Sequence, residues 1–179
     1  MKLFVTGLLC LTLSTLTVAD TMSNGIFQLI NQRLTYMQDV ALFKAKNHSA
    51  VEDIQREKQV LEKALIDAEQ AGLQPESIAG FFQAQMDAAK AIQYRYMADW
   101  LSTQPDSDEY RDLASEVRPK LLELGDEIII RIGDYLKGGG TFDNKMQKTF
   151  VRTVNVTNLS ESDKKKMFQS LQMIRLIKN

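Results

Sequence analysis

Apolar side chains recur along most of the chain at three- and four-residue spacing, the period of an amphipathic helix. Ile26, Ile30, Arg33, Met37, Val40 and Lys44 follow that spacing after Asn24-Gly25 and so share one helix face. A second helix is predicted from about Ala50 to Ala71, with Ile54, Leu61, Leu65 and Ala68 facing inward and Gly72 as its stop. Pro75, followed by Glu76 and Ser77, opens a third and long helix. Its inner positions include Ile78, Phe82, Gln85, Ala89, Ile92, Tyr96 and Trp100. The stretch from Ser102 to Asp108 reads as a loop. A fourth helix carries Leu121, Leu122, Ile128, Ile129, Ile132 and Leu136, with Pro119 near its first turn and Gly138-Gly139-Gly140 ending it. A shorter fifth helix is expected around Phe142 to Val154. A last one, with Ser160 and Asp163 as its N-cap, bears Met167, Leu171 and Ile174. No alternating run joined by hairpin turns interrupts this pattern. The expected fold is all-α, a single bundle of about six helices with a long third helix.

The first stretch stands outside that bundle. Lys2 supplies a positive start, Leu3 to Leu16 an apolar region, and Thr17-Val18-Ala19 a small-residue cleavage site, the layout of a secretory signal peptide. Asp20 ends the apolar run too early for a membrane span. The reading is therefore a signal peptide over residues 1–19, one helical domain over 20–179, and a periplasmic or secreted protein that leaves the membrane after cleavage. Cys10 sits in the middle of the apolar region, not at its end, which argues against a lipid-anchored cysteine.

Composition narrows the chemistry. The 179 residues carry 22 Lys and Arg against 23 Asp and Glu, so no overall basic field recommends nucleic acid as a partner. One Cys and one His cannot assemble a structural zinc site, and a nucleophile–base pair would rest on His48 alone. His48 follows the first helix and reads as a loop residue. The run Lys164-Lys165-Lys166 reads as a solvated helix face.

Polar residues then appear where the helical pattern calls for apolar ones. Arg33 and Lys44 lie about three turns apart on the stripe otherwise made by Ile26, Ile30, Met37 and Val40. Cations facing a bundle interior are costly unless something anionic meets them. Each alone is explained by a side chain snorkelling past a helix end, but two on one stripe suggest an internal site. Asp53, Arg56 and Glu57 border the inner stripe of the second helix, Gln93 lies among Met86, Ala89 and Met97 on the third, and Arg118 precedes Leu121-Leu122 on the fourth. Four cations, two carboxylates and an amide in an apolar bundle suit a small, dianionic, hydroxylated ligand. The set lacks a nucleophile–base pair and a metal cluster, so any chemistry has to come from positioning and electrostatics.

In this order and spacing the residues resemble the all-helical chorismate mutase family: Arg33, Lys44 within ALFKAK, Asp53, Arg56 and Glu57 within VEDIQRE, and Gln93 within FFQAQMDAAKAIQ. The signal peptide, the long third helix ending in DW and the EVRPKLLEL segment with Arg118 resemble its secreted subclass. The resemblance spans roughly residues 26 to 136. It implies the conversion of chorismate to prephenate by an intramolecular Claisen rearrangement, the chemistry of phenylalanine and tyrosine biosynthesis, with no cofactor and no metal.

It also implies roles. Arg33, Arg56 and Arg118 would hold the two substrate carboxylates, Lys44 and Gln93 would donate to the ether oxygen, and Glu57 would take the ring hydroxyl with Asp53 nearby. Arg118 would come from the same chain, so each protomer would hold a complete site within a possible homodimer. Members with Glu at the Gln93 position need it protonated, whereas an amide donates without titrating. Ala89 stands where relatives often have Ser or Thr, and Val60 where at least some secreted relatives carry a polar side chain. Those two departures support an alternative: an exported helical-bundle binding protein or chaperone that kept the bundle and lost catalysis. Joint retention of Arg33, Lys44, Arg56, Glu57, Gln93 and Arg118 favours the mutase.

Overall fold

The structure, a computed structural model, describes residues 12–105 and 109–178. Cys10 and the charged start of the expected signal peptide lie outside them. Among the described residues the fold is helical, with one isolated antiparallel bridge between Leu73 and Leu176. Seven α-helices follow in order: α1 (Thr12–Thr35), α2 (Met37–Lys46), α3 (Ile54–Gln70), α4 (Pro75–Asp99), α5 (Arg118–Lys137), α6 (Gln147–Thr153) and α7 (Glu161–Gln172).

The count exceeds the expected six because the first amphipathic stripe is interrupted at Tyr36, so the long helix is α4. The interruption is slight, since the Val40 amide still donates to the Tyr36 carbonyl at 3.1 Å. The periodicity therefore carries across it, which is why the sequence reads as one helix. Asn24-Gly25 does not start the helix either, because α1 runs through both residues.

Helix ends follow local chemistry. Asp53 caps α3 by accepting from the Arg56 amide at 3.1 Å, so α3 begins four positions later than Ala50. Ile54, expected inside, is consequently on the exposed first turn, with 79% of its surface in solvent. At the other end the Leu73 amide reaches the Ala68 carbonyl at 2.8 Å and the Gly72 amide reaches Glu69 at 3.0 Å. This paired closure requires a left-handed residue, and Gly72 supplies it at φ 75°. The same closure ends α5, where Gly140 and Gly139 donate to Tyr135 and Leu136. Ser160 and Asp163 cap α7 reciprocally. His48 lies in the exposed loop after α2.

Two packing regions result. Phe27, Phe150 and Phe168 form an aromatic cluster that binds α6 and α7 to α1, with ring centroids 5.1 and 5.3 Å apart. Lys164 belongs to this region and is 6% exposed, with Nζ 3.4 Å from both the Val151 carbonyl and Glu161. It is a buried tether between α6 and α7, not the solvated face expected for it, because its position on α7 falls on the stripe of Met167, Phe168 and Leu171. In the second region α1 packs on α5, while α3 packs on both α4 and α5. Gly133 on α5 lets α3 approach closely, since a Cβ there would sit 2.8 Å from the Ala71 carbonyl oxygen. The walls of the functional cavity are α1, α2, α3, α4 and α5.

Candidate active site

All seven residues singled out by the sequence line one cavity: Arg33, Lys44, Asp53, Arg56, Glu57, Gln93 and Arg118. Apolar walls from Met37, Val40, Val60, Met86, Leu113 and Leu121 surround them. The helical period explains the convergence. Arg33 lies in the last turn of α1, Lys44 in the last turn of α2 and Glu57 in the first turn of α3.

Arg33 is the most deeply placed cation, 6% exposed. Its guanidinium lies over the Phe82 ring at 5.8 Å and makes no hydrogen bond or ion pair among the described residues; its Nε is buried without a partner. Loss of hydration on burial lowers its pKa to about 10. A buried cation with no counter-ion is unfavourable in the free protein and is relieved by an incoming anion.

Lys44 donates to the Val51 carbonyl at 2.6 Å. Burial pushes its pKa below the ordinary lysine value and Arg118 adds to this, while Asp53, Glu57 and Glu52 act in the opposite direction. Gln93, 4% exposed, faces the same space from α4. Its Nε2 donates to the Ala89 carbonyl at 3.1 Å and lies 3.6 Å from Met37 Sδ, while its Oε1 is buried and unpaired. Both Lys44 and Gln93 therefore have a donor turned to a replaceable or shareable acceptor beside the cavity.

At the mouth, Asp53 Oδ2 lies 3.9 Å from Arg118 Nη2. Arg56 turns toward Gln59 at 3.4 Å and remains partly exposed. Arg118 is placed by an unusual approach to α5: Asp112 caps a π-helical turn over Leu113–Val117 by accepting from the Ala114 and Ser115 amides. The segment before it is fastened to α2. Arg111 pairs with Asp39 through Nε at 2.7 Å and lies over the Tyr36 ring at 4.1 Å, and the Tyr110 ring meets Phe43 edge-on.

Lys90 and Leu113 also line the cavity and were missed in the sequence. Lys90 was legible in principle, lying one turn from both Met86 and Gln93 on the same face of α4. Its Nζ meets Glu57 Oε2 at 2.9 Å. Leu113 was legible as well, since with Val117 and Leu121 it extends the four-residue apolar spacing of α5 back through the π-helical turn.

A pocket between helices with five cations, two carboxylates and an amide donor defines a site for a small polyanionic molecule. Comparison with known proteins agrees in kind. Residues 19–94 match the family model for chorismate mutase type II. The chain is 40% identical over 148 residues to the secreted chorismate mutase of Yersinia pestis, spanning 83% of this chain and 79% of that protein. It is 37% identical to a monofunctional chorismate mutase of Enterobacter agglomerans, covering 88% of this chain and 86% of that one. The crystal structure of the Yersinia pestis protein superposes with a TM-score of 0.79 at 38% identity, over 85% of this chain and 97% of the other. The chain belongs to the chorismate mutase family. Six of the seven expected site residues fall within the matched segment, and Arg118 lies beyond it.

Proposed function

We propose that this protein is an exported chorismate mutase that rearranges chorismate to prephenate within the cavity between α1, α2, α3, α4 and α5. The observation that carries the reading is the convergence of Lys44, Gln93 and three arginines on one apolar-walled space. The reaction breaks the ether C–O bond and forms a C–C bond in one cyclic shift of electrons, so the protein need supply neither nucleophile nor cofactor. What it supplies is a compact substrate conformer, an orientation effect of about 7–11 kcal/mol in favourable cases. It also supplies donors aimed at the oxygen where negative charge develops.

In this assignment Arg33, Arg56 and Arg118 bind the two carboxylates, and Lys44 Nζ and Gln93 Nε2 donate to the ether oxygen. Glu57 accepts from the ring hydroxyl with Asp53 beside it. Ala89 offers no side-chain donor where relatives often have Ser or Thr near a substrate carboxylate, and its backbone carbonyl accepts from Gln93 at 3.1 Å, so that hydrogen bond would be absent or supplied by backbone or water. Arg118 reaches the cavity from its own chain. A homodimer, as the resemblance suggests, would therefore join two complete sites. Residues 1–19 would serve as the signal peptide that delivers the domain over 20–179. No helix among the described residues is long and apolar enough to cross a membrane.

The chaperone alternative gains no support, because the cationic groups are gathered in one pocket between helices and not along an exposed apolar groove. The test is incubation of the purified protein with chorismate, following its disappearance together with prephenate formation. Turnover well above the uncatalysed rate is expected, and its absence would overturn the reading.

A further inference from the structure

Lys90 has no part in the roles set out above, yet it faces the reaction cavity and makes a close ion pair inside it. It stands on α4, one turn before Gln93, and its Nζ lies 2.9 Å from Glu57 Oε2 across the α3–α4 wall. Asp87 is a weaker second partner at 3.6 Å, on the solvent side with 61% of its side chain exposed. Both members of the Lys90–Glu57 pair are about three-quarters buried, with 23% and 24% of their side chains exposed. Glu57 makes no other side-chain hydrogen bond among the described residues, so Oε1 is left available.

The electrostatics of the cavity give this pair a purpose. A carboxylate that must accept a hydroxyl proton donor is set here beside a substrate carrying two negative charges. Unless Glu57 has a cation of its own, it repels that substrate, and its rotamer is free to turn toward Arg56 or Lys44 and cancel the charges meant for the ligand. Lys90 is the cation in direct contact with it. A point charge on a flexible stem fixes one oxygen without demanding a two-pronged match, which leaves the second oxygen directed elsewhere.

We propose that Lys90 is a positioning residue of the mutase site: it holds Glu57 through Oε2 so that Oε1 is presented to the ring hydroxyl of the substrate. The inference rests on the mutase reading and adds to it a residue that acts on chorismate only through Glu57.

The test is a double-mutant cycle on the full protein with chorismate as substrate. Lys90→Met should lower kcat/KM about tenfold, the effect of one charge-assisted hydrogen bond, with the loss mainly in KM. In a Glu57→Gln background the same substitution should change kcat/KM by less than about twofold, because the residue it acts through is already altered. Lys90→Arg should recover most of the loss. Lys90→Gln repeats the measurement with a polar replacement, and helical circular dichroism establishes that each variant is folded. An undiminished loss in the Glu57→Gln background would mean that Lys90 touches the substrate itself, and no loss in the parent background would mean that it does nothing; either result overturns the proposal. The parent protein is assayed first. Its failure to turn over chorismate would fail the mutase reading, whereas normal parent turnover with an unaffected Lys90→Met fails this assignment alone.

Discussion

Asp53 and Arg118 face each other at 3.9 Å across the mouth of the cavity, one as the N-cap of α3 and the other at the first turn of α5. Asp53 is thus bound to its own helix start through the Arg56 amide while its second oxygen faces Arg118. The partly exposed pair contributes little to stability, so Arg118 can exchange it for a substrate carboxylate. Arg118→Ala should therefore raise KM for chorismate by tenfold or more, from roughly 1.5–3 kcal/mol for a hydrogen bond to a charged group, with little change in melting temperature. Steady-state kinetics together with thermal unfolding check both halves. An unchanged KM would remove Arg118 from the carboxylate site.

Arg111 should matter although it does not line the cavity. Its pairing with Asp39 and its stacking on Tyr36 hold the segment that delivers Leu113 and Arg118. Arg111→Ala is expected to raise KM in the same direction as Arg118→Ala but by less. In an Arg118→Ala background its effect should shrink, because contacting or serially linked residues do not add. Equal effects in both backgrounds would show that the strap acts on something other than Arg118.

Lys44→Ala should lower kcat by about 10²–10³-fold, corresponding to roughly 2.7–4 kcal/mol for one donor to a developing oxyanion. The helical circular dichroism spectrum should be preserved, since Lys44 is a half-buried residue at the end of a helix, and among the described residues its side chain donates only to a loop carbonyl. Near-normal turnover would mean that the ether oxygen is held by other groups.

The pH profile separates Lys44 from Gln93. Gln93 does not titrate, so activity should persist from weakly acidic to neutral pH. Burial lowers the pKa of Lys44, and donation requires its charged form, so kcat/KM should be full below that pKa and fall as the pH rises through it. The alkaline limb is therefore expected below the ordinary lysine range, and a Lys44→Arg variant that retains activity should show it only where Arg33, lowered by burial to about 10, loses its charge. Gln93→Glu should add a second limb on the acid side, with activity lost as the new carboxyl ionises, because only its protonated form donates. A steep site-based loss in the unmodified protein between weakly acidic and neutral pH would contradict the assignment of Gln93.

Gly133→Ala should destabilise the protein by about 1–3 kcal/mol, because the added Cβ meets the Ala71 carbonyl at 2.8 Å, a backbone atom that cannot simply turn aside. At roughly 2–4 °C per kcal/mol for a chain of this size, the shift is readily seen in a thermal melt. An unchanged melting temperature would mean that α3 and α5 separate at no cost.

The all-helical class, the helix stops at Gly72 and Gly138–Gly140, and the inward face bearing Arg33, Lys44, Glu57 and Gln93 were all legible in the sequence. Each rests on local chemistry: helical period, glycine at left-handed positions, and charge where apolar residues were due. Ile54 and Lys164 were misread for the opposite reason. Periodicity gives the angle of a side chain around its helix, but not where the helix begins or which neighbour covers it. Asp53 capping α3 exposed the first, and the contact of α6 with α7 buried the second. Lys90 was on the right face and passed over, because a lysine on an amphipathic helix is ordinarily a solvated edge until the facing helix is known. What only the tertiary structure decided is which polar groups meet: Asp53 with Arg118, Lys90 with Glu57, and Arg33 with no counter-ion among the described residues. Those relations depend on how α3, α4 and α5 pack across one cavity. Packing is a property of pairs of helices distant in the chain, which no spacing within one helix records.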